Sequence, residues 1–413
     1  MPLSRSMRAQ IGTLVLGTSL IQLANGFFNT FVSLRVVIEG FEATLAGLVL
    51  SSFFGGFAAG AARCGRIIER VGHIRAYAAF AGLVVAATGA MPLTAGPLPW
   101  IILRALVGFG CAGVFTATES WLNAKAPADG RGRVFSIYMV GTFIALAVGQ
   151  LLIGRVEMRS TEPFQAIVAL FAVALVMVTA TRAEPPQTTS YPALPYGQLW
   201  RAAPVAVVGC LATGVLSGAF YALVPAWMEG KGVERDTVGL FMFAAVTGGL
   251  AFQVPVGRLS DRLDRRLVLG ALSLGFSATA VAIVLLPRSL SVVLAPAVLP
   301  GGFLSTLYPV CVALAHDAIP SDRVVAVSGF LILVSGVGSV LGPLVGMRIT
   351  ASLDIDGVFY FMAAVALALA VVAAGQALRR PPLPHQERTF DILTPQAAPL
   401  AHDPLSPDPS PSD

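Results

Sequence analysis

The chain has 413 residues, of which only 12% are charged and 56% are hydrophobic. A soluble protein of average composition carries about 25% charged residues. The mean hydropathy of +0.78 excludes a disordered protein, and four cysteines in a chain of this length exclude a secreted disulfide scaffold. Two or three soluble domains do not fit this composition, which favours a chain embedded in a lipid bilayer.

Twelve hydrophobic runs are long enough to cross a membrane as helices, since about 20 residues span the hydrocarbon core. Helix is the expected form because a backbone in lipid must satisfy its own hydrogen bonds. The first run follows Arg5 and Arg8 but has no cleavage site, so it predicts a retained span rather than a signal peptide. The predicted spans are 11–37, 45–62, 74–93, 100–123, 134–156, 163–181, 204–227, 237–256, 267–287, 290–315, 324–349 and 357–378.

The distribution of cations predicts the orientation of these spans. If both ends of the chain are cytoplasmic, 19 Lys and Arg residues fall on the cytoplasmic side, 7 fall on the other side, and Arg104 lies inside span 4. This bias predicts a multi-pass protein of the plasma membrane with both termini in the cytoplasm. The net charge of +5 then reflects the cations of the cytoplasmic loops, so no nucleic-acid partner is expected. The cysteines form no CxxC pair, and no metal site is predicted.

The chain repeats itself at a shift of 192 residues. Glycines, arginines and acids coincide in this register, as Gly56 does with Gly248 and Glu69 with Asp261. Six spans in each half make this a parallel repeat, with its axis along the membrane normal. The predicted organisation is a six-helix half, a cytoplasmic linker, a second six-helix half and a disordered, Pro-rich cytoplasmic tail, at 1–183, 184–203, 204–378 and 379–413.

Two loops carry the same motif. Residues 65–75 read GRIIERVGHIR, and residues 257–266 read GRLSDRLDRR. Both resemble the G-x-x-x-D-R-x-G-R-R signature of the major facilitator superfamily, and residues 104–110, RALVGFG, resemble its R-x-x-x-G-x-G motif. Residues 119–123, ESWLN, are similar to the YcaD-type bacterial branch. The resemblance implies an all-α integral membrane fold of two six-helix pseudo-repeats, which transports by alternating access.

The loop motifs are interpreted as a latch at one face of the membrane. A carboxylate at a helix end can face the positive N-terminus of another helix, and its arginine neighbours can pair with acids on adjacent loops. The alternative is a short basic loop that only follows the positive-inside rule. The predicted gating residues are Gly65, Glu69, Arg70, Gly72, Arg75, Arg104, Gly257, Asp261 and Arg262.

Two ionisable residues lie well inside a span, where such groups are costly and often functional. Arg104 and Glu119 share one face of span 4 but lie about 22 Å apart along it, so they cannot pair directly. Glu119 is the candidate proton-coupling residue. The alternative is a structural carboxylate that reaches the surface or pairs with Arg131 or Arg133. Arg104 is assigned to helix packing and gating rather than to substrate contact.

A polar stripe on span 1 predicts the substrate site. In the family that the chain resembles, spans 1, 4, 7 and 10 line a central cavity, which points this stripe inward. Amides beside Phe28, Phe115 and Phe220 suit a neutral, partly planar molecule, and an expected absence of central cations disfavours phosphorylated or dicarboxylate substrates. The alternative is polar side chains that only bridge helices. The predicted substrate-binding residues are Gln22, Asn25, Asn29, Thr116, Ser217, Tyr221, Ser305 and Tyr308.

The predicted function is secondary active transport of a small aromatic metabolite by a monomer, with riboflavin as the single best guess. The sequence leaves proton coupling and the direction of transport open. Proton-coupled efflux of amphipathic drugs or metabolites is an alternative, although the Gly-Pro pair typical of drug antiporters lies in span 11, at 342–343, rather than in span 5. Another alternative is a non-transporting membrane receptor or scaffold. No enzyme activity and no cofactor are predicted, because the GxGxxG match at 108–113 lies inside a span, without the strand that a nucleotide site needs.

Overall fold

The structure, a computed structural model, consists mainly of membrane-length helices. It describes residues 5–126, 130–180, 199–200, 202–285, 290–319 and 323–379. The predicted linker at 184–203 therefore lies mostly outside the described residues, and the predicted tail at 379–413 lies outside them except for Arg379. The predicted boundary between spans 9 and 10, at 287–289, is also outside them.

Twelve helices in the described part of the chain are long and apolar enough to cross a membrane. Each overlaps one of the predicted runs. Because twelve is an even number, both ends of the described chain lie at one side of the bundle, here called the termini face, and the opposite side is called the far face. The helices are α1 (Arg5–Ile38), α2 (Ala43–Val71), α3 (His73–Ala90), α4 (Pro97–Lys125), α5 (Arg131–Gln150), α6 (Glu162–Thr179), α7 (Pro204–Gly230), α8 (Arg235–Arg262), α9 (Arg265–Leu285), α10 (Leu290–Asp317), α11 (Val324–Ser352) and α12 (Gly357–Arg379).

Two turns at the far face show the repeat at the level of single hydrogen bonds. Gly40 after α1 and Gly232 after α7 have φ of +68° and +71°, a conformation that favours glycine. The amide of the residue after each glycine donates to a carbonyl five residues earlier, at 3.2 and 3.0 Å. This is the Schellman pattern of helix ends. The two halves thus turn in the same way at positions 192 residues apart.

Glycines also set the close crossings inside each half. A Cβ added to Gly56 would overlap the backbone of Ala105 where α2 crosses α4. Its repeat partner Gly248 would likewise overlap the backbone of Val298 where α8 crosses α10. Small residues at such crossings let membrane helices approach until their backbones touch. The structure confirms the predicted fold of two six-helix pseudo-repeats.

A second pair of crossings borders the space between the halves. Gly26 of α1 packs against the carbonyl of Leu146 on α5, and Gly218 of α7 packs against the carbonyl of Ser339 on α11. The glycines are 192 residues apart and their partners 193, so the repeat continues into α5 and α11 with a shift that is one residue longer. These crossings place α1 beside α5 and α7 beside α11 at the centre of the bundle.

The halves contact each other towards the far face. Ser33 on α1 donates to the Ala222 carbonyl on α7 at 2.5 Å. Ser51 on α2 donates to the Val340 carbonyl on α11 at 2.8 Å. The first turns of α8 also pack against the end of α5. These three contacts, called the far-face seam below, join the two halves on that side of the molecule.

Candidate functional site

A cavity lies between the two halves and is bordered by seven helices. It is lined by both polar and aromatic side chains. Cavities of this kind bind small organic molecules. Its polar lining is Gln22, Asn25, Asn29, Thr30, Arg104, Thr142, Gln150, Ser217, Tyr221, Ser305, Ser335 and Ser339.

Most of the predicted substrate-binding residues line this cavity, but Thr116 and Tyr308 do not. Thr116 lies about 18 Å along α4 from Arg104, and its hydroxyl donates to the Ala112 carbonyl of its own helix at 2.8 Å. Tyr308 lies one turn beyond Ser305 on α10, but its side chain is completely buried and does not border the cavity. The predicted residues that do line the cavity are Gln22, Asn25, Asn29, Ser217, Tyr221 and Ser305.

The polar stripe of α1 forms a hydrogen-bonded ladder. Asn25 donates from Nδ2 to Gln22 Oε1 at 3.2 Å, and Asn29 donates from Nδ2 to Asn25 Oδ1 at 2.7 Å. Spacings of three and four residues put these amides on one face of the helix. Arg104 provides the last donor, because its Nη2 lies 2.8 Å from Asn29 Oδ1. The ladder therefore connects the α1 stripe to the arginine of α4.

Arg104 places a cation in the cavity wall. Its side chain is 2% exposed, and its guanidinium carbon lies 5.0 Å from the centre of the Phe28 ring and 4.9 Å from that of Phe53. Aromatic faces attract such a cation. The expectation of a cavity without central cations is therefore wrong. It failed because α4 begins at Pro97 and carries Arg104 about two turns into the bundle, to the level of Asn29.

The aromatic part of the lining also differs from the expected one. Phe28, Phe115 and Phe220 are buried between helices and do not line the cavity. The sequence reasoning did not choose the correct rings, because apolar side chains of a membrane helix can face lipid, another helix or the cavity. The rings that line the cavity are Phe53, Phe54, Phe57, Phe143 and Tyr221.

The contributions of α5 and α11 were missed by sequence reasoning. Thr30 donates from Oγ1 to Gln150 Oε1 at 2.6 Å, at the end of α5. Thr142 on α5 and Ser335 on α11 both line the cavity. These two residues are repeat partners at a shift of 193. Carrying the repeat register into spans 5 and 11 would therefore have found them.

Glu119, the predicted proton-coupling residue, is buried away from the cavity. Its side chain is 2% exposed, so it does not reach the membrane surface. The Tyr138 hydroxyl on α5 donates to Glu119 Oε1 at 3.1 Å. Arg133, one suggested partner, is exposed, and the side chain of Arg131 lies outside the described residues. Glu119 is thus a buried carboxylate between α4 and α5.

The charged residues of the first loop motif lie exposed at the termini face. Gly72 separates α2 from α3 with φ of +83°, so this position favours glycine. Glu69, Arg70 and Arg75 are exposed, and none of them forms an ion pair with a described residue. A Cβ on Gly65 would meet no atom within 4 Å. The motif contacts α4 of its own half through His73, whose Nε2 lies 2.8 Å from Ser120 Oγ, but its charged side chains do not join the two halves in this conformation.

The second loop motif is engaged in ion pairs. Arg265 Nη2 lies 3.2 Å from Asp261 Oδ1, and Arg265 Nε lies 2.8 Å from Asp317 Oδ2 on α10. Gly257 is buried and Arg262 is exposed. Arg265 and Asp317 were not predicted as site residues, although the paired arginines that end the motif were a signal. These ion pairs join α8, α9 and α10 inside one half, so here they do not close a face between halves.

Comparison with protein families identifies this architecture. A sequence model described as Major Facilitator Superfamily (MFS) matches residues 14–249 and 211–405. The chain belongs to the major facilitator superfamily. It is therefore an MFS transporter, and its twelve helices make it a multi-pass membrane protein.

Similar relatives come from enteric bacteria. The transporter is 31% identical over 360 residues to "Uncharacterized MFS-type transporter YcaD" of Shigella flexneri serotype 5b (strain 8401), which covers 85% of this chain and 92% of the relative. It is 32% identical over 338 residues to YcaD of Escherichia coli O139:H28 (strain E24377A / ETEC), covering 80% and 86%. The predicted resemblance to the YcaD-type branch is confirmed.

Solved structures share the fold of this transporter at low sequence identity. A mutant of the nucleoside transporter NupG aligns with a TM-score of 0.77 at 12% identity, covering 90% of this chain and 100% of that chain. A bacterial homologue of the human lysosomal transporter Spinster, in an inward-facing and unoccupied conformation, aligns with a TM-score of 0.71 at 16% identity, covering 92% and 99%. At these identities the likeness shows the fold alone.

Proposed function

We propose that the chain is a secondary active transporter of a small, hydrogen-bonding, partly planar molecule. The observation that carries this proposal is the cavity between the halves, where the amide ladder of α1 lies beside a wall of aromatic rings. Amides orient a polar substrate by hydrogen bonds, and rings pack against its flat apolar part. Transport is driven by a gradient, with Glu119 as the proton-coupling residue.

The transport step is alternating access around this cavity. The far-face seam joins the halves on one side, while the charged residues of the first loop motif are exposed at the termini face. The positive-inside rule assigns the termini face to the cytoplasm of a bacterial inner membrane. With that orientation, the conformation is open towards the cytoplasm. The inward-facing state named for the Spinster homologue supports this assignment.

Riboflavin is the first named candidate for the substrate. Its ring system is flat and carries several hydrogen-bonding groups at its edge, which suits amides beside aromatic rings. NupG, which shares the fold, is named a nucleoside transporter, and nucleosides also join a flat heterocycle to a hydroxylated chain or ring. A neutral substrate is not required by the cavity, because Arg104 lies in its wall.

Uptake by proteoliposomes tests the proposed function. Purified full-length protein is reconstituted, and labelled riboflavin, nucleosides and aromatic metabolites are followed with and without a pH gradient. We expect one of these compounds to accumulate above its external concentration, and only in liposomes that contain the protein. Equilibration without accumulation under every gradient would contradict active transport. Binding without any movement of the ligand would indicate a receptor instead.

Efflux of amphipathic drugs is the second candidate function. It is favoured by the aromatic wall of Phe53, Phe54, Phe57 and Phe143, because flat apolar surfaces bind molecules of varied shape. The same proteoliposomes discriminate between the candidates when they are loaded with cationic dyes of unrelated structure. Gradient-driven movement of several dyes would support drug efflux, whereas a metabolite transporter moves none of them.

A further inference from the structure

We propose that the substrate of this cavity carries one carboxylate, which Arg104 binds. The inference rests on the proposed transport function and narrows its substrate class to aromatic or heteroaromatic monocarboxylates. The observation that carries it is a buried arginine in the cavity wall, two of whose nitrogen atoms have no acceptor among the described residues.

The charge of Arg104 is not balanced by the cavity. Among the described residues that line the cavity, Arg104 is the one that carries a charge. Its side chain is 2% exposed, and a buried charge without a counter-ion is costly in a membrane. The hydrogen bond from its Nη2 goes to a neutral amide, Asn29 Oδ1, at 2.8 Å. The part of the lining that the structure describes thus supplies a cation and no anion.

The remaining donors of Arg104 are available to an acceptor. Its Nε and Nη1 are buried and have no acceptor among the described residues. The rings of Phe28 and Phe53 contact the guanidinium through their faces, which attract the charge but do not accept in-plane N–H bonds as oxygen does. Phe53 lines the cavity together with Arg104, so a movement of this ring would open the buried nitrogens to a ligand. A carboxylate is the planar acceptor that the guanidinium fork fits well.

The rest of the lining limits the ligand to a single negative charge. One arginine among neutral amides and hydroxyls balances one unit of charge. A phosphate or a dicarboxylate would bring a second charge for which the described lining offers no cation. Gln22, Asn25 and Ser217 provide neutral hydrogen-bonding partners, and the rings of α2 suit an aromatic body.

Ligand-induced thermal stabilisation of the purified full-length protein in detergent tests this inference. The probes are matched acid and amide pairs: benzoate with benzamide, phenylacetate with phenylacetamide, and nicotinate with nicotinamide. Inorganic phosphate and riboflavin are the dianionic and neutral comparisons. We expect at least one acid to protect the protein about tenfold more tightly than its amide, because the acid adds a charge-assisted bond. Phosphate should protect less than that acid.

Variants assign the preference to one side chain. Arg104→Gln should remove the preference for acids, and Arg104→Lys should keep part of it, since the charge remains but the fork is lost. Arg348→Gln is the matched control, because it removes the same charge from an exposed residue of α11. If Arg104→Gln does not fold, Asn29→Asp provides the test instead. The introduced carboxylate would form an ion pair with Arg104 and should abolish the preference for acids over amides.

Three results would overturn the inference: no acid in the panel protects, amides protect as well as acids, or Arg104→Gln keeps the preference for acids. The proposed transport function fails separately. Gradient-driven uptake of riboflavin without any preference for acids would overturn the carboxylate inference and leave transport in place. Binding of an acid that Arg104→Gln abolishes, without accumulation of that acid, would leave the site in place and contradict transport.

Discussion

Asn29 is the residue through which α1 holds Arg104. Its Oδ1 accepts from Arg104, and its Nδ2 donates to Asn25, so both ends of the amide are already used. Such an amide cannot turn towards a ligand without giving up a bond. Within the ladder, Asn29 therefore orients the arginine, whereas the neighbouring hydroxyls and Gln22 are better placed to meet a substrate.

The substitution Asn29→Asp should stabilise the ligand-free protein. The carboxylate keeps an acceptor near Arg104 and adds the missing counter-charge, at the cost of the donor to Asn25. Hydrogen bonds to charged groups contribute about 1 kcal/mol more than neutral ones, so the melting temperature in detergent should rise. Asn25→Asp is the control, since that side chain bonds to Gln22 and Asn29 instead. A lower melting temperature for Asn29→Asp would show that Arg104 does not need a counter-ion.

The substitution Glu119→Gln should uncouple substrate transport from the pH gradient. Glutamine keeps an acceptor for the Tyr138 hydroxyl but cannot bind or release a proton. We expect accumulation to fall to simple equilibration, while exchange of labelled for unlabelled substrate continues. Tyr138→Phe removes the hydrogen bond, keeps the carboxylate and should retain coupling. Full accumulation by Glu119→Gln would remove Glu119 from the coupling mechanism.

Between helices, the crossings at Gly56 and Gly248 should be the least tolerant of added volume. Gly56→Ala or Gly248→Ala forces a Cβ into a neighbouring backbone, and overpacking of this kind costs about 1–3 kcal/mol. Thermal melting in detergent measures the loss. Gly82→Ala is the matched control, because a Cβ there meets no atom within 4 Å. An equal loss for Gly82→Ala would contradict the explanation by helix crossing.

The repeat and the spans could be predicted because they depend on composition and on glycines in register. Gly56 and Gly248 show this, since both the match and the crossings follow from one shift of 192 residues. The rotation of each helix about its own axis, which decides the residues that face the cavity, could not be predicted as well. A span packed against protein on one side and lipid on the other is apolar all round, so Phe53 and Thr116 carry no sign of whether they face the cavity.

The whole molecule differs between its two faces. The far-face seam joins the halves at α1 with α7 and at α2 with α11. At the termini face the charged residues of the first loop motif are exposed, and the second motif pairs Arg265 with Asp261 and Asp317 inside one half. The described contacts between halves thus concentrate on one side of the cavity. Alternating access requires this seam to open while contacts form at the termini face.

Locking the far-face seam should stop transport. Cysteines introduced by Ser33→Cys and Ala222→Cys replace residues that are hydrogen-bonded at 2.5 Å, and their oxidation should abolish uptake until a reductant is added. The single variants Ser33→Cys and Ala222→Cys are the matched controls, because one introduced cysteine cannot form this cross-link. Uptake in proteoliposomes is the measurement. Undiminished uptake by the oxidised Ser33/Ala222 variant would show that this crossing does not open.

The chemistry of the far-face seam has a consequence for salt dependence. Its hydrogen bonds run from serine hydroxyls to main-chain carbonyls, each worth about 1 kcal/mol net. The ion pairs described above, such as Arg265 with Asp317, lie within one half and stay intact when the halves separate. Neutral hydrogen bonds are not screened by dissolved ions. Opening of the far face should therefore proceed at a similar rate in dilute and in concentrated salt.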